Sequence, residues 1–306
     1  MTIPFTIDTA QRHELPAAFR LILQTVADDD ERDRRIANAL RLLERGELDR
    51  KGVFVAREGS RLAGALVCLP VPGASGLVWP PQIMSGLDPV VLEDRLLAHA
   101  TAWLKKGGAK LGQALLTPDE RPFGRSLARN GFRHVTRLSY LRHYLDLPVS
   151  LLLAQERLSF QSYRRADRPL FHKTLLRTYE GTLDCPEVNG VRSIEDVIAG
   201  HQSQGMHDSG RWWLAFDGAA PVGVLLLIEM PEAHYWELAY LGVIPEARGQ
   251  GYGHELVRKA LFEARAGEAG QLSLSVDERN LPACKLYRRL GFESFDEREV
   301  YLAIWR

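Results

Sequence analysis

This chain lacks most of the marks by which a sequence announces a special class. Its 306 residues include three cysteines, Cys68, Cys185 and Cys284. They are isolated, odd in number and form no CxxC pair, which speaks against a disulfide framework and for a reducing cytoplasm. No His/Cys cluster has zinc spacing, so no metal is expected. Charge of either sign is not in excess: 39 Lys plus Arg balance 39 Asp plus Glu. Nothing therefore draws the protein toward DNA, RNA or an anionic membrane. The longest clean apolar run is VLLLI at Val224–Ile228, far too short for a bilayer. The opening MTIPFTIDTAQRHELP has no basic segment leading into an apolar core and does not read as a signal peptide. There is no low-complexity tract.

What is present is enough chain for two domains and an internal repeat. VFVAREGSRLAGALVCLPVP from Val53 and WWLAFDGAAPVGVLLLIEMP from Trp212 each read as strand, turn glycine, strand. ARNGFRHVTRLSYLRHYL from Ala128 and RRLGFESFDEREVYLAIWR from Arg288 each read as a helix end, Gly-Phe, then a strand. Both pairs are offset by about 160 residues, a domain's length. This places domains at 1–148 and 149–306, with a linker around Leu147–Gln155 where Asp146 and Pro148 interrupt the strand pattern. In the second half the patterns predict strands at Ser159–Arg165, Arg211–Phe216, Pro221–Met230, His234–Ile244, Gln271–Val276 and Glu297–Ile304. Helices are predicted at Pro169–Glu180, Ile194–Gln204, from the glycine loop to Arg265, and at Leu281–Leu290. The fold class is α/β (α+β), a mixed, mostly antiparallel sheet flanked by helices.

Between a predicted strand and helix stands VIPEARGQGYG, Val243–Gly253. Glycine admits positive φ and close approach, successive free N–H groups form an anion-binding nest, and a helix start adds partial positive charge. Arg248 adds a full one. The set suits a pyrophosphate, although a turn without a ligand has the same composition. No G-K-[ST] closes it, and its GxGxG spacing is not the dinucleotide fingerprint. The segment V-x-P-x-x-R-G-x-G-x-G resembles the acetyl-CoA motif of the GNAT superfamily of N-acetyltransferases. VDERNLPACKLYRRLGF, Val276–Phe292, resembles that family's second motif. The resemblance covers the C-terminal half in full and implies two tandem GNAT-like domains.

It further implies acetyl-CoA as co-substrate. Backbone N–H groups of Arg248, Gly249, Gln250, Gly251, Tyr252 and Gly253 would hold its pyrophosphate. The strand through Leu241, Gly242 and Val243 would pair with the pantetheine arm, and it would splay from the strand at Gln271–Val276. An N–H near Val243 would hold the oxyanion. The reaction is attack of an amine on a thioester, and an alkyl ammonium must first lose a proton. Glu237, between Trp236 and Leu238, is the candidate base, since apolar surroundings raise a carboxyl pKa. The same residue could instead face solvent on its strand. Tyr287 matches the family's general acid and could equally be a half-buried core residue. Asn280 matches a position that touches the CoA arm and is also a good helix N-cap. Cys284 reads as a small core residue, at least one of Trp212 and Trp213 as core, and Asp28–Arg35 as a solvated helix face. The acceptor, expected to be a small-molecule amine, would lie against Tyr179–His207, near Glu180, Asp184, Glu187 and Asp208, which could also be solvated loop acids.

The N-terminal half departs from this pattern. GLVWPPQIMSGLDPVVLEDRLLAHA stands where the arginine–glycine loop should be. Pro80 and Pro81 lack N–H groups, Asp88 brings negative charge, and Leu127 or Ala128 stands in place of Tyr287. This half is expected to carry no CoA motif and to have a structural role. A non-catalytic acyl-CoA sensor or scaffold, a protein-modifying acetyltransferase, and a monomer or homodimer all remain compatible with the sequence.

Overall fold

The computed structural model describes residues 5–145, 157–164, 167–206, 208–230 and 234–305. The first elements are β1 (Phe5–Thr9), α1 (Leu15–Ile22), α2 (Asp29–Arg45), β2 (Val53–Glu58), β3 (Arg61–Val71), β4 (Ser75–Val78) and β5 (Gln82–Ile83). They are followed by α3 (Pro89–Lys106), β6 (Leu111–Leu116), α4 (Gly124–Arg129) and β7 (Arg133–Tyr144). Then come β8 (Leu158–Ser162), α5 (Arg168–Tyr179), α6 (Ile194–Gln202), β9 (Trp212–Asp217), β10 (Ala220–Met230) and β11 (Tyr235–Val243). The last are α7 (Tyr252–Ala266), β12 (Gln271–Asp277), α8 (Leu281–Arg289) and β13 (Glu293–Ile304). Among the described residues no helix is long and apolar enough to cross a membrane.

The chain forms two compact units. Unit 1 runs up to Val135 and adds the residues from Glu299 onward; unit 2 is Thr136–Arg298. The sequence divides the chain into consecutive segments, 1–148 and 149–306, and this division point and the predicted linker lie outside the described residues. The units themselves are not consecutive, because each is completed by a strand from the other half. In unit 1, β1, β2, β3 and β4 pair antiparallel, β4 pairs parallel with β6, and β6 pairs antiparallel with Glu299–Ile304 of β13. In unit 2, β8, β9, β10 and β11 pair antiparallel, β11 pairs parallel with β12, and β12 pairs antiparallel with Leu138–Tyr144 of β7. Both exchanged strands leave the same helix–Gly–Phe turn with similar patterning. Alternation sets which face of a strand is buried but not which sheet it joins, so the exchange is invisible in one sequence.

Helix ends follow local chemistry. Asp28 caps α2 by accepting from Glu31 N, and Gly46 ends the helix at φ 74°. The acidic first turn of that helix pairs with Arg34 and Arg35 on an exposed face, as the charge run predicts. Ser193 and Asp196 form a capping box on α6. In unit 2 the sheet is covered on both sides. On one face Leu256, Val257, Ala260, Leu261 and Ala264 of α7 pack on Trp236, Leu238, Leu272 and Leu274. On the other, Phe171, Leu175, Val197 and Ile198 of α5 and α6 pack on Trp212, Leu214, Val224 and Leu226. Each large aliphatic side chain so buried contributes about 1.5–3 kcal/mol. Trp212 and Trp213 are both buried.

Candidate active site at the glycine loop

Strand β11 carries the site because two irregularities act on it. The first is a bulge. Leu226 pairs with Tyr240 and Leu227 with Leu238, which leaves Ala239 as an extra residue. Trp236 and Leu238 face the α7 core, whereas Tyr240 packs on the α5/α6 side. Glu237, between Trp236 and Leu238, points away from the α7 core by strand alternation. The second is a splay. β11 and β12 pair only at Tyr235–Gln271, Trp236–Leu272 and Glu237–Ser273. Beyond Glu237 the two strands share no register, and a cavity of about 740 Å³ is lined by residues of both sides of the gap.

The glycine loop forms one end of that cavity. Gly249 and Gly251 stand at φ 77° and 90°, in the left-handed region where a Cβ is strained. Gly251 is the N-cap of α7 and offers the helix no side chain. Among the described residues no hydrogen-bond acceptor faces the backbone N–H of Gly249, Gln250, Gly251, Tyr252 or Gly253. Five consecutive donors at a helix start form a nest for an anion. Around them the loop is braced. The Tyr252 side chain is buried beneath it, with its hydroxyl bonded to Asp217 and accepting from Arg157 Nη2 at 2.8 Å. Gln250 Nε2 donates to Glu246 O at 3.1 Å.

Arg248 does something the sequence did not suggest. Its guanidinium donates to four carbonyl oxygens: Val243 at 3.1 Å, Gly181 at 3.0 Å, Thr178 at 3.0 Å and Glu180 at 2.7 Å. It satisfies the C-terminal carbonyls of α5 and ties them to the end of β11. Its charge sits beside the nest, but its side-chain hydrogen bonds are spent on the fold, and its backbone N–H, expected in the same row as Gly249–Gly253, donates instead to Pro245 O at 3.3 Å. Thr178 Oγ1 and Tyr240 Oη, 2.8 Å apart, continue this junction. A Cβ on Gly242 would come within 2.6 Å of Thr178, so α5 and β11 approach closely there.

At the other end of the cavity, Asn280 caps α8 by accepting from Ala283 N at 3.3 Å, and its residue also lines the cavity. Tyr287 lies on α8 with its ring buried against Phe292, 5.6 Å between centroids. Its hydroxyl makes no hydrogen bond among the described residues, and burial, with the nearby Asp184 and Cys284, raises its pKa. Burial alone raises the Glu237 carboxyl above the ordinary range. Leu241, Gly242, Val243, Arg248, Gly249, Gly251, Tyr252, Gly253, Asn280 and Tyr287 line one cavity; Gln250 lies on the loop beside it, and Glu237 at the foot of the splay. Cys284 packs against the core with its thiol 3.6 Å from Asp277 O.

Of the loop acids noted in the sequence, two are occupied and one is exposed. Glu180 is exposed at the end of α5. Glu187 pairs with Arg279. Asp208 caps the turn before β9 and pairs with Arg164. Asp184 alone lines the cavity. A residue missed in the sequence is Asp277, fully buried at the end of β12. Burial pulls its pKa up, but Arg279, Thr136 and the N–H of Cys185 outweigh this and hold it at about 2. Its only sequence signal was an acid followed two residues later by arginine.

Comparison with known proteins finds likenesses over the same residues. Residues 175–292, inside unit 2, match the acetyltransferase (GNAT) family. The chain is similar to the mycothiol acetyltransferase of Beutenbergia cavernae, 30% identical over 103 residues, or 34% of this chain and 35% of that protein. It is also similar to that of Saccharopolyspora erythraea, 27% identical over 222 residues, or 66% of this chain and 73% of that protein. The first of these alignments thus spans about a third of the relative's own length. A GCN5-related N-acetyltransferase from Sphaerobacter thermophilus superposes with TM-score 0.65 at 20% identity, covering 99% of this chain and 97% of that one. A tandem GNAT protein from the clavulanic acid biosynthesis pathway superposes with TM-score 0.51 at 18% identity, covering 98% of each chain. The chain therefore has the fold of tandem GNAT proteins, and its family match falls on residues 175–292 of unit 2.

Proposed function

We propose that this protein is an acetyl-CoA-dependent N-acetyltransferase that acts through unit 2 on the amine of a small molecule. The observation that carries the proposal is the row of five N–H groups at Gly249–Gly253, without a partner among the described residues, opening onto a gap between two splayed parallel strands. A pyrophosphate fits the first and an extended thioester arm the second, and about 740 Å³ is within the range of ligand cavities, roughly 300–1,000 Å³. Acetyl-CoA would supply an activated acetyl group there. The chain's own work is binding, orientation and proton movement. The nest binds the phosphates. The free edge of β11 at Leu241–Val243 aligns the arm, and an N–H near Val243 faces the carbonyl oxygen. Glu237, its pKa raised by burial, accepts a proton from the amine. Tyr287 protonates the departing sulfur; its raised pKa keeps it protonated until that moment.

The mycothiol acetyltransferases named above make a small thiol-bearing amine one reasonable acceptor to try first. Calorimetry on the wild type and on Gly251→Asp tests the cofactor half of the proposal. Asp at this position places negative charge in the nest and a Cβ at φ 90°, and it is expected to abolish acetyl-CoA binding. Full-affinity binding by the variant would reject the loop as the site. A chain that binds acetyl-CoA but acetylates no amine in a broad screen would instead be a sensor or scaffold.

A further inference from the structure

Asp184 lies in the α5–α6 connection, and the fold holds it unusually firmly for a loop residue. Cys185, the next residue, sits in the left-handed region at φ 41° without being glycine, a conformation that persists only where surroundings enforce it. The enforcing contacts converge on Asp277. Cys185 N donates to Asp277 Oδ2 at 3.0 Å, and Asp277 N donates to Asp184 Oδ1 at 3.2 Å. Arg279 bridges Asp277 and Glu187, which clamps the same loop to the start of α8. A carboxylate oxygen of Asp184, the Cys185 Sγ and a carboxylate oxygen of Asp277 lie within 4.8 Å of one another. However, both Asp277 oxygens are already filled by Thr136, Cys185 and Arg279, so Asp277 is a pin. Among the described residues the other oxygen of Asp184 has no hydrogen-bond partner, and Asp184 lines the cavity that Tyr287 and the β11 edge also line.

Resting on the acetyl-transfer reading above, we propose that Asp184 is a second catalytic carboxylate, which holds the acceptor's ammonium group and takes one of its protons. The proton balance calls for two acceptors. An ammonium nitrogen loses two protons as the C–N bond forms and the C–S bond breaks; the sulfur gains one from Tyr287. Asp184 takes the first proton from nitrogen and Glu237 the second. The Asp184 proton restores Tyr287, and the Glu237 proton goes to solvent. The groups facing Asp184 are Asp277 and Arg279 of the β12–α8 turn, Cys284 and Tyr287 of α8, Tyr179 of α5, Tyr240 of β11 and its neighbour Cys185. Arg279 is neutralised by Asp277 and Glu187, and the tyrosines and thiols are uncharged at neutral pH, so Asp184 is the free anion. Burial pushes its carboxyl up to about 6, so the ionised form is lost as pH falls through that value.

The test compares two nucleophiles, ethanolamine, a cation at neutral pH, and hydroxylamine, which is uncharged there and needs no initial deprotonation. CoA release is followed from pH 5 to 9 for the wild type, Asp184→Asn, Asp184→Glu and Glu237→Gln. Calorimetry on each variant establishes that acetyl-CoA still binds. Asp184→Asn is expected to lower kcat/KM for ethanolamine about 100-fold, to spare hydroxylamine within about threefold, and to remove the acidic limb near pH 6. Asp184→Glu should recover part of the ethanolamine rate. Carbon NMR of aspartate-labelled protein should show a carboxyl titrating near pH 6 that is absent from Asp184→Asn. Equal losses with both nucleophiles, an acidic limb that survives in Asp184→Asn and vanishes only in Glu237→Gln, or no such titrating carboxyl would overturn the proposal. A wild type that binds acetyl-CoA but releases no CoA with either nucleophile or with any amine of a broad screen would overturn the acetyl-transfer reading, and this one with it.

Discussion

Unit 1 and unit 2 share a strand order but start the helix after their fourth strand in opposite ways. In unit 2, β11 leads into Gly249 and Gly251 at positive φ, and α7 begins on a glycine that caps nothing. In unit 1, β4 leads through Pro80 and Pro81 into β5, which folds back on Gly64 and Ala65 of β3. There α3 begins on Asp88, whose carboxylate accepts from Val90 N at 3.1 Å. A helix start satisfied by its own anion has no vacancy for another, whereas one left open is a binding site. The second difference lies on the later helix. Phe292 N bonds Tyr287 O at 3.0 Å, and Phe132 N bonds Leu127 O at 3.1 Å. Tyr287 therefore corresponds to Leu127, not Ala128, and unit 1 has a fully buried aliphatic residue where unit 2 has a hydroxyl. On the proposed function, unit 1 has no equivalent site because an ordinary cap and a core side chain fill those positions.

The comparison can be broken most decisively at this matched pair. Tyr287→Phe should lower kcat about 100-fold and leave acetyl-CoA affinity within about twofold. Unchanged turnover would remove Tyr287 from the proton path. Leu127→Ala should do the reverse, costing about 2–5 kcal/mol of stability in chemical denaturation with acetyl-CoA affinity retained. A smaller effect is expected at Arg248. Truncation to Ala leaves four carbonyl oxygens without their charged donor, costing about 1.5–3 kcal/mol and weakening acetyl-CoA binding by loosening the loop. If stability is unchanged and only binding falls, the guanidinium serves the ligand and not the fold. Smaller again is Asp88→Ala, which should cost about 1 kcal/mol and create no second acetyl-CoA site, because Pro80 and Pro81 still lack donors.

Acid should separate the units least. Glu14 in unit 1 is held at about 2 by its hydrogen bonds with Arg57, and Asp277 in unit 2 at about 2 against the opposing effect of burial. Each has a folded pKa below its unfolded value. Each therefore adds stability above the ordinary carboxylate range that is lost as pH falls through about 2. Denaturation profiles of Glu14→Gln and Asp277→Asn should both be flatter than wild type below about pH 4.5; a wild-type slope in either variant would show that its carboxylate is not titrating with folding.

How much of this was legible depends on the range of the interaction involved. Glycine spacing, caps and amphipathic periods are local, so the loop, the strands from β8 to β12 and their helices lie within a few residues of their predicted bounds. Asn280 was legible as a cap for the same reason. The partner of a strand is not local, which hid the exchange of β7 and β13. The bulge at Ala239 was hidden too, since one extra residue in YWELAYLGV leaves no compositional trace. Arg248 stood in a recognisable motif, yet its clamp depends on where α5 ends. The four loop acids looked alike in sequence, and only the packing around Asp277 distinguishes Asp184 from the others.

The stoichiometry of acetyl-CoA binding, measured by calorimetry on wild type, Gly251→Asp and Asp88→Ala, decides whether unit 2 alone holds the cofactor. One equivalent per chain is expected for the wild type and Asp88→Ala, and none for Gly251→Asp. Two equivalents on the wild type, or one retained in Gly251→Asp, would contradict it.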